Sequence, residues 1–140
     1  MKEQKKRERK QQLLDEALEL PSALRNSEEP IEVDQGLVRG IIQKEYAITD
    51  SESKKPIIGT FGIGPCIALT IYDRTNQVAG IAHIDGTTSV ESLDRMFYEF
   101  HREDDSASSL ELRLIGGDES SRETSIKILE YLKNRGHQLA

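Results

Sequence analysis

The sequence predicts an α/β fold: a layered sandwich with a mixed β-sheet and two C-terminal helices, preceded by an N-terminal helix. Three observations support that class. β-rich runs bounded by turn residues follow one another from residue 45 to residue 85. Two helical patterns with capping signatures then alternate with one more strand. The hydrophobic set is 36% of 140 residues, with 5% aromatics and no Trp, which suffices for an aliphatic core without staples.

The first twenty residues read as a helix. Leu13, Leu14, Ala17 and Leu18 form an i, i+1, i+4, i+5 stripe, and Pro21 stops it. That stripe needs a surface, either the domain or another copy of the chain. A polar, Pro-containing linker follows. The chain therefore divides into an N-terminal helix with its linker, residues 1–35, and a domain over residues 36–140. Residues 45–49, 56–61, 66–72 and 78–84 read as strands, separated by polar or Gly-containing turns. Thr88, Ser89, Val90 and Glu91 fit a capping box, so a helix is expected there, burying Val90, Leu93, Phe97 and Phe100. Leu110, Leu112 and Leu114 alternate with Glu111 and Arg113 in a half-buried strand that ends at Gly116 and Gly117. Ser120, Ser121, Arg122 and Glu123 fit a second capping box, and the helix they open is expected to end near Arg135 with Gly136 as its C′ residue. His101 sits among charged residues and is expected in solvent. His137 is expected to complement the helix C-terminus.

Charge and composition exclude several functions. The first ten residues hold six bases against two acids, +4; with a net charge of −6, the remaining residues carry −10. A body that acidic repels phosphates, so no nucleic-acid partner is expected. The basic tip reads as a solvated helix start or a contact for an acidic partner. No apolar run approaches the length of a membrane span, and the acids in the first helix do not fit a signal peptide. The chain has one cysteine, Cys66, so neither an internal disulfide nor a multi-thiolate zinc site can form. A reducing, cytoplasmic setting is expected.

The chemistry concentrates on two neighbouring strands. If residues 66–73 and 78–85 form a hairpin, opposed residues have a constant index sum. A two-residue turn gives 149 and sets Cys66 opposite His83; a four-residue turn gives 151 and makes them diagonal neighbours. Any even-length turn leaves both side chains on one face. An imidazolium beside a thiol favours the nucleophilic thiolate. Just before Cys66, the loop containing Gly62 and Gly64 can bring the backbone close to a substrate and aim N–H groups at an oxyanion, or it can merely turn the chain. It lacks the Lys-Ser/Thr ending of a phosphate loop. Asp85 lies two residues beyond His83, on the same strand face. It can orient His83, hold a substrate's α-ammonium group, or close a turn with Gly86. Gly116 and Gly117 can close a turn or line the site. A zinc site from Cys66, His83 and Asp85 would need all three to converge, and metal-free nucleophilic catalysis accounts for the same residues; no metal or cofactor is expected.

Thr60, the run Gly62-Ile63-Gly64-Pro65-Cys66, and His83 seventeen residues after the cysteine together resemble the chemoreceptor glutamine deamidase family. Over roughly residues 45–135 the chain is similar to the protein N-terminal asparagine amidohydrolase family. That similarity rests on Glu45-Tyr46-Ala47-Ile48-Thr49, the Cys66 to His83 spacing, His83-Ile84-Asp85-Gly86-Thr87, and residues 110–117. The resemblance implies an amidase that converts N-terminal Asn to Asp through Cys66, with His83 as acid and base and Thr60 orienting His83 or binding the amide. The implied partner is a protein or peptide bearing Asn or Gln. Three alternatives stand beside it: deamidation of an internal Gln, a cysteine peptidase with the same dyad, and a non-catalytic binding domain that docks through the N-terminal helix.

Overall fold

Alternation of apolar residues along two adjacent seven-residue strands builds the centre of the molecule. The computed structural model describes residues 2–19, 32–100 and 110–140. Its elements are α1 (Lys2–Glu19), β1 (Val38–Ile41), β2 (Tyr46–Asp50), β3 (Ile57–Thr60), β4 (Ile67–Asp73), β5 (Val78–Ile84), α2 (Leu93–Phe100), β6 (Leu110–Gly116) and α3 (Arg122–Asn134). Pro21, most of the linker and His101 lie outside the described residues.

The fold is α/β, with its parallel and antiparallel pairings in two separate sheets. Strands β2, β5, β4 and β6 form an antiparallel sheet in that order, and β1 pairs with β3 in a parallel ribbon. β4 and β5 make the expected hairpin with the four-residue turn. Ile67 opposes Ile84 and Ala68 opposes His83. Asp73, buried at the start of the turn, accepts hydrogen bonds from the backbone and side-chain nitrogens of Asn76 at 3.1 and 2.8 Å. β1 was not apparent from the sequence, and Gly40 within it weakens the strand signal.

The period of two sorts the side chains into two cores. Ile67, Leu69, Ile71, Ala82, Ile84, Leu110 and Leu112 face α2 and α3, meeting Leu93, Met96, Phe97, Phe100, Ile128, Tyr131 and Leu132. On the opposite face Ala47, Ala68 and Ile81 meet Ile41, with Ile58 packed against them from the ribbon. The molecule is therefore layered as helices, sheet and ribbon. α2 approaches the sheet very closely at Gly80, where a Cβ would lie 2.7 Å from Phe100.

Both capping boxes differ from expectation. Thr88 spends its hydroxyl on Asp85 at 3.0 Å, Ser89 bonds Glu91 at 2.7 Å without capping, and the chain passes through a 3-10 turn (Val90–Ser92) before α2 begins. α2 buries Met96 beside Leu93, Phe97 and Phe100, while Val90 is half-buried. At α3 the box forms earlier in the chain, between Asp118 and Ser121. Asp118 wins because the 3-10 turn Glu119–Ser121 precedes the helix and needs its own cap. The end of α3 follows expectation. Gly136 takes φ +76, its N–H bonds Lys133 and that of His137 bonds Leu132, the pattern of a Schellman motif. His137, just past the helix end, is buried and stacks on Phe97 at 4.5 Å.

α1 finds its surface on α3, with Arg122 bonding Gln11 at 3.0 Å. Leu13, Leu14 and Ala17 are half-buried, while Leu18 is exposed. Among the described residues, no helix is long and apolar enough to cross a membrane.

Candidate active site

The ribbon-facing side of the sheet carries the reactive groups. Cys66 immediately precedes β4, and His83 lies near the end of β5. The index sum of 151 makes them diagonal neighbours on one face, beside Ala68 and Ile81. Both are buried, Cys66 to 5% exposure and His83 to 2%. Thr60 enters from the ribbon, at the end of β3.

Thr60 decides which nitrogen of His83 carries the proton. Its Oγ1 lies 2.8 Å from His83 Nδ1 and 2.9 Å from the Ile41 carbonyl oxygen. A hydroxyl has one hydrogen, and a carbonyl can only accept. The hydroxyl therefore donates to Ile41, and His83 Nδ1–H donates to the hydroxyl. In the neutral imidazole Nε2 is left with a bare lone pair. It is buried and makes no hydrogen bond among the described residues. A buried, unpaired acceptor is costly in a structural core and useful in a base.

The loop before Cys66 is braced from behind. Gly62 and Gly64 have φ of +65 and +42, which favour glycine. The Cys66 N–H closes a turn onto the Ile63 carbonyl at 2.5 Å, so it is not available to an oxyanion. Ser121 Oγ donates to the Pro65 carbonyl at 2.5 Å, and the Gly117 N–H donates to Gly64 at 3.2 Å. Gly116, at φ +94, leaves no room for a side chain: a Cβ would lie 2.0 Å from Ile63 and 3.0 Å from the Cys66 carbonyl. Gly116 and Gly117 thus hold the cysteine loop in place.

Asp85 is half-buried, and the index sum carries it opposite Cys66, one step past the ladder. Its Oδ1 accepts from the Thr87 N–H, the Thr87 hydroxyl and the Thr88 hydroxyl at 2.8, 2.7 and 3.0 Å. These bonds, led by the Thr87 hydroxyl, hold its carboxyl below the usual carboxylate range. Oδ2 accepts no bond among the described residues. The imidazole is oriented by Thr60, with no bond to Asp85.

Sequence reasoning missed Gln43. Its Nε2 donates to Cys66 Sγ at 3.4 Å from a turn twenty-three residues away. Among the described residues, no group of three His, Cys, Asp or Glu is placed to hold a metal ion.

Against this geometry, the family model described as protein N-terminal asparagine amidohydrolase matches residues 29–139. The chain belongs to that family. Two curated relatives match a shorter stretch, both described as probable chemoreceptor glutamine deamidases (CheD). The Thermococcus kodakarensis protein is 44% identical over 39 residues, covering 28% of this chain and 22% of the relative. The Pyrococcus abyssi protein is 41% identical over 39 residues, with the same coverage of 28% and 22%. The matched stretch thus spans about a fifth of those relatives' length.

Proposed function

We propose that this family member is a cysteine-dependent amidohydrolase that converts an N-terminal Asn to Asp with release of ammonia. One observation carries the reading: Cys66 and His83 are buried on one sheet face, and Thr60 leaves His83 Nε2 as an unpaired base. Cys66 Sγ attacks the side-chain carboxamide carbon, and Nε2 takes the thiol proton. The C–N bond breaks as His83 returns that proton to the leaving nitrogen, so ammonia departs and a thioester remains. Nε2 then activates water, which hydrolyses the thioester to a carboxylate. Cys66 and His83 share no hydrogen bond in this structure, and the proposed proton transfer needs Nε2 to close on Sγ. With the Cys66 N–H tied to Ile63, the backbone N–H groups of Gly62 and Gly64 are the proposed donors to the developing oxyanion.

Asp85 supports the N-terminal choice, because its free Oδ2 and ionised state suit an α-ammonium group. The match to the two probable glutamine deamidases supports a second reading, an internal Gln of a partner protein. Residues 36–140 hold every group named, and residues 1–35 stand outside the chemistry. A thiol nucleophile suits the reducing cytoplasm.

Ammonia release from three peptides tests the reading: one with a free N-terminal Asn, its N-acetylated counterpart, and one with an internal Gln. The free N-terminal Asn peptide is expected to turn over fastest. Cys66→Ser and His83→Ala should abolish turnover. Asp85→Asn should lower kcat/KM on the free peptide by about one to two decades and leave the acetylated one nearly unchanged. Faster release from the acetylated or the Gln peptide would replace the N-terminal assignment with the internal one.

A further inference from the structure

The five residues from Ile41 to Glu45 touch every member of the proposed dyad and its orienter. The Ile41 carbonyl receives the Thr60 hydroxyl at 2.9 Å. The Lys44 N–H donates to the His83 carbonyl at 2.8 Å, and the His83 N–H donates to Glu45 at 3.0 Å. The turn closes on itself, with the Ile42 N–H on Glu45 Oε1 at 2.8 Å and the Glu45 N–H on the Ile42 carbonyl at 3.1 Å. Lys44 adopts φ 67, a conformation a lysine takes only where surrounding bonds demand it. The turn is thereby pinned to the backbone of the base, and it carries Gln43 to the sulfur.

We propose that Gln43 is a catalytic donor to the nucleophile: its carboxamide N–H, 3.4 Å from Cys66 Sγ, holds the sulfur in place and stabilises its thiolate. The assignment rests on the cysteine mechanism proposed above and deepens it. An N–H donor to sulfur favours the anion over the thiol, because the anion is much the stronger acceptor. A carboxamide does this at every pH, since it has no proton to lose in the working range. It also adds no positive charge beside a substrate that carries an ammonium group. Gln43 is an exposed residue, so its side chain can move with the sulfur as the C–S bond forms.

Alkylation of Cys66 by iodoacetamide, followed from acid to alkaline pH, tests this without any substrate. The chain has one cysteine, so the signal has one source. Gln43→Ala is expected to move the rate profile about one pH unit upward, about tenfold slower on the acid limb. Gln43→Glu should move it further, because a carboxylate opposes the thiolate. Gln43→Lys should return it to or below the wild-type position. A purely structural residue would not follow the sign of the charge. Profiles of Gln43→Ala and Gln43→Glu that superimpose on the wild type, while His83→Ala moves, would overturn the donor role and leave the dyad standing. Conversion of Gln43 to Glu in the wild-type protein, seen by peptide mass spectrometry and absent in Cys66→Ser, would also overturn it, since Gln43 would then be a substrate of the thiol. Failure of all three peptides to release ammonia would remove the deamidase reading, yet the charge-dependent shift would still establish the donor.

Discussion

At the scale of single residues, the proposed chemistry depends on one hydrogen atom of Thr60. Because that hydroxyl donates to Ile41, it can only accept from His83, and this fixes the base on Nε2. Thr60→Val keeps the shape and removes the acceptor. The imidazole is then free to place its proton on Nε2, the wrong tautomer for taking a proton from sulfur. Turnover of the best peptide should fall by at least about tenfold in kcat/KM. Thr60→Ser should restore most of it, and circular dichroism should show both variants folded. Equal loss in the serine and valine variants would make Thr60 a packing residue. The pairing of Cys66 with His83 was legible in the sequence because a period of two needs only an even turn. The partner of the sulfur was not. Gln43 lies in a turn whose course depends on Lys44 adopting a positive φ, and residue type alone does not announce that.

At the scale of elements, two glycines separate the fold's needs from the site's. Gly80 lies in β5 on the helix-facing side, where an added methyl would sit 2.7 and 2.8 Å from Phe100 and 2.8 Å from Met96. Gly80→Ala should destabilise the protein by about 1–3 kcal/mol, as overpacking does. Urea unfolding should show that loss while the folded fraction keeps wild-type Cys66 alkylation. Gly116 is the converse. At φ +94 and with a Cβ 2.0 Å from Ile63, alanine there must displace the loop that carries Cys66. Gly116→Ala should therefore change the alkylation profile as well as the stability. The strands of the main sheet and α3 were readable to within about two residues, because alternation and apolar spacing mark them strongly. The caps were less so. Thr88 and Ser89 look equally suited to cap α2, and the choice falls to Asp85, which captures the Thr88 hydroxyl. The parallel ribbon was also hidden. A four-residue strand with a central glycine carries almost no pattern, and its partner is fixed only by tertiary packing.

At the scale of the whole molecule, the pH range of stability has a different origin at each end. Asp85, Glu91, Asp94, Glu111 and Asp118 are all held below the usual carboxylate range. The leading causes are hydrogen bonds from Thr87, Ser89, Tyr131, Arg74 and Ser120 respectively. A lowered folded-state value means that the contribution is present above the ordinary carboxylate range, about pH 4, and is lost as pH falls through the lowered values. Glu91, Asp94 and Asp118 are exposed and Asp85 and Glu111 half-buried, all within reach of solvent screening, so none is decisive alone. They act together because they serve the turn after β5, the entry to α2, strand β6 and the cap of α3. At the alkaline edge Tyr131 leads, and burial also raises the Tyr46 phenol. Burial raises the pKa of the Tyr131 phenol, and the bond it donates to Asp94 raises it further. Arg135 closes the cluster, stacked 3.7 Å above the ring and bonded to Asp94 at 2.9 Å. A raised value reverses the sign: the stabilisation is complete below about pH 10 and is lost as pH rises through the folded-state value. Urea midpoints should hold through neutral pH and decline below about pH 4 and above about pH 10. Tyr131→Phe separates the two ends. It removes the phenol that must stay protonated, so its midpoint should be lower than wild type at neutral pH and decline less on the alkaline side, with the acid decline kept. An alkaline decline of unchanged depth in Tyr131→Phe would place that edge on other groups and leave the Asp94–Tyr131–Arg135 cluster as packing between α2 and α3.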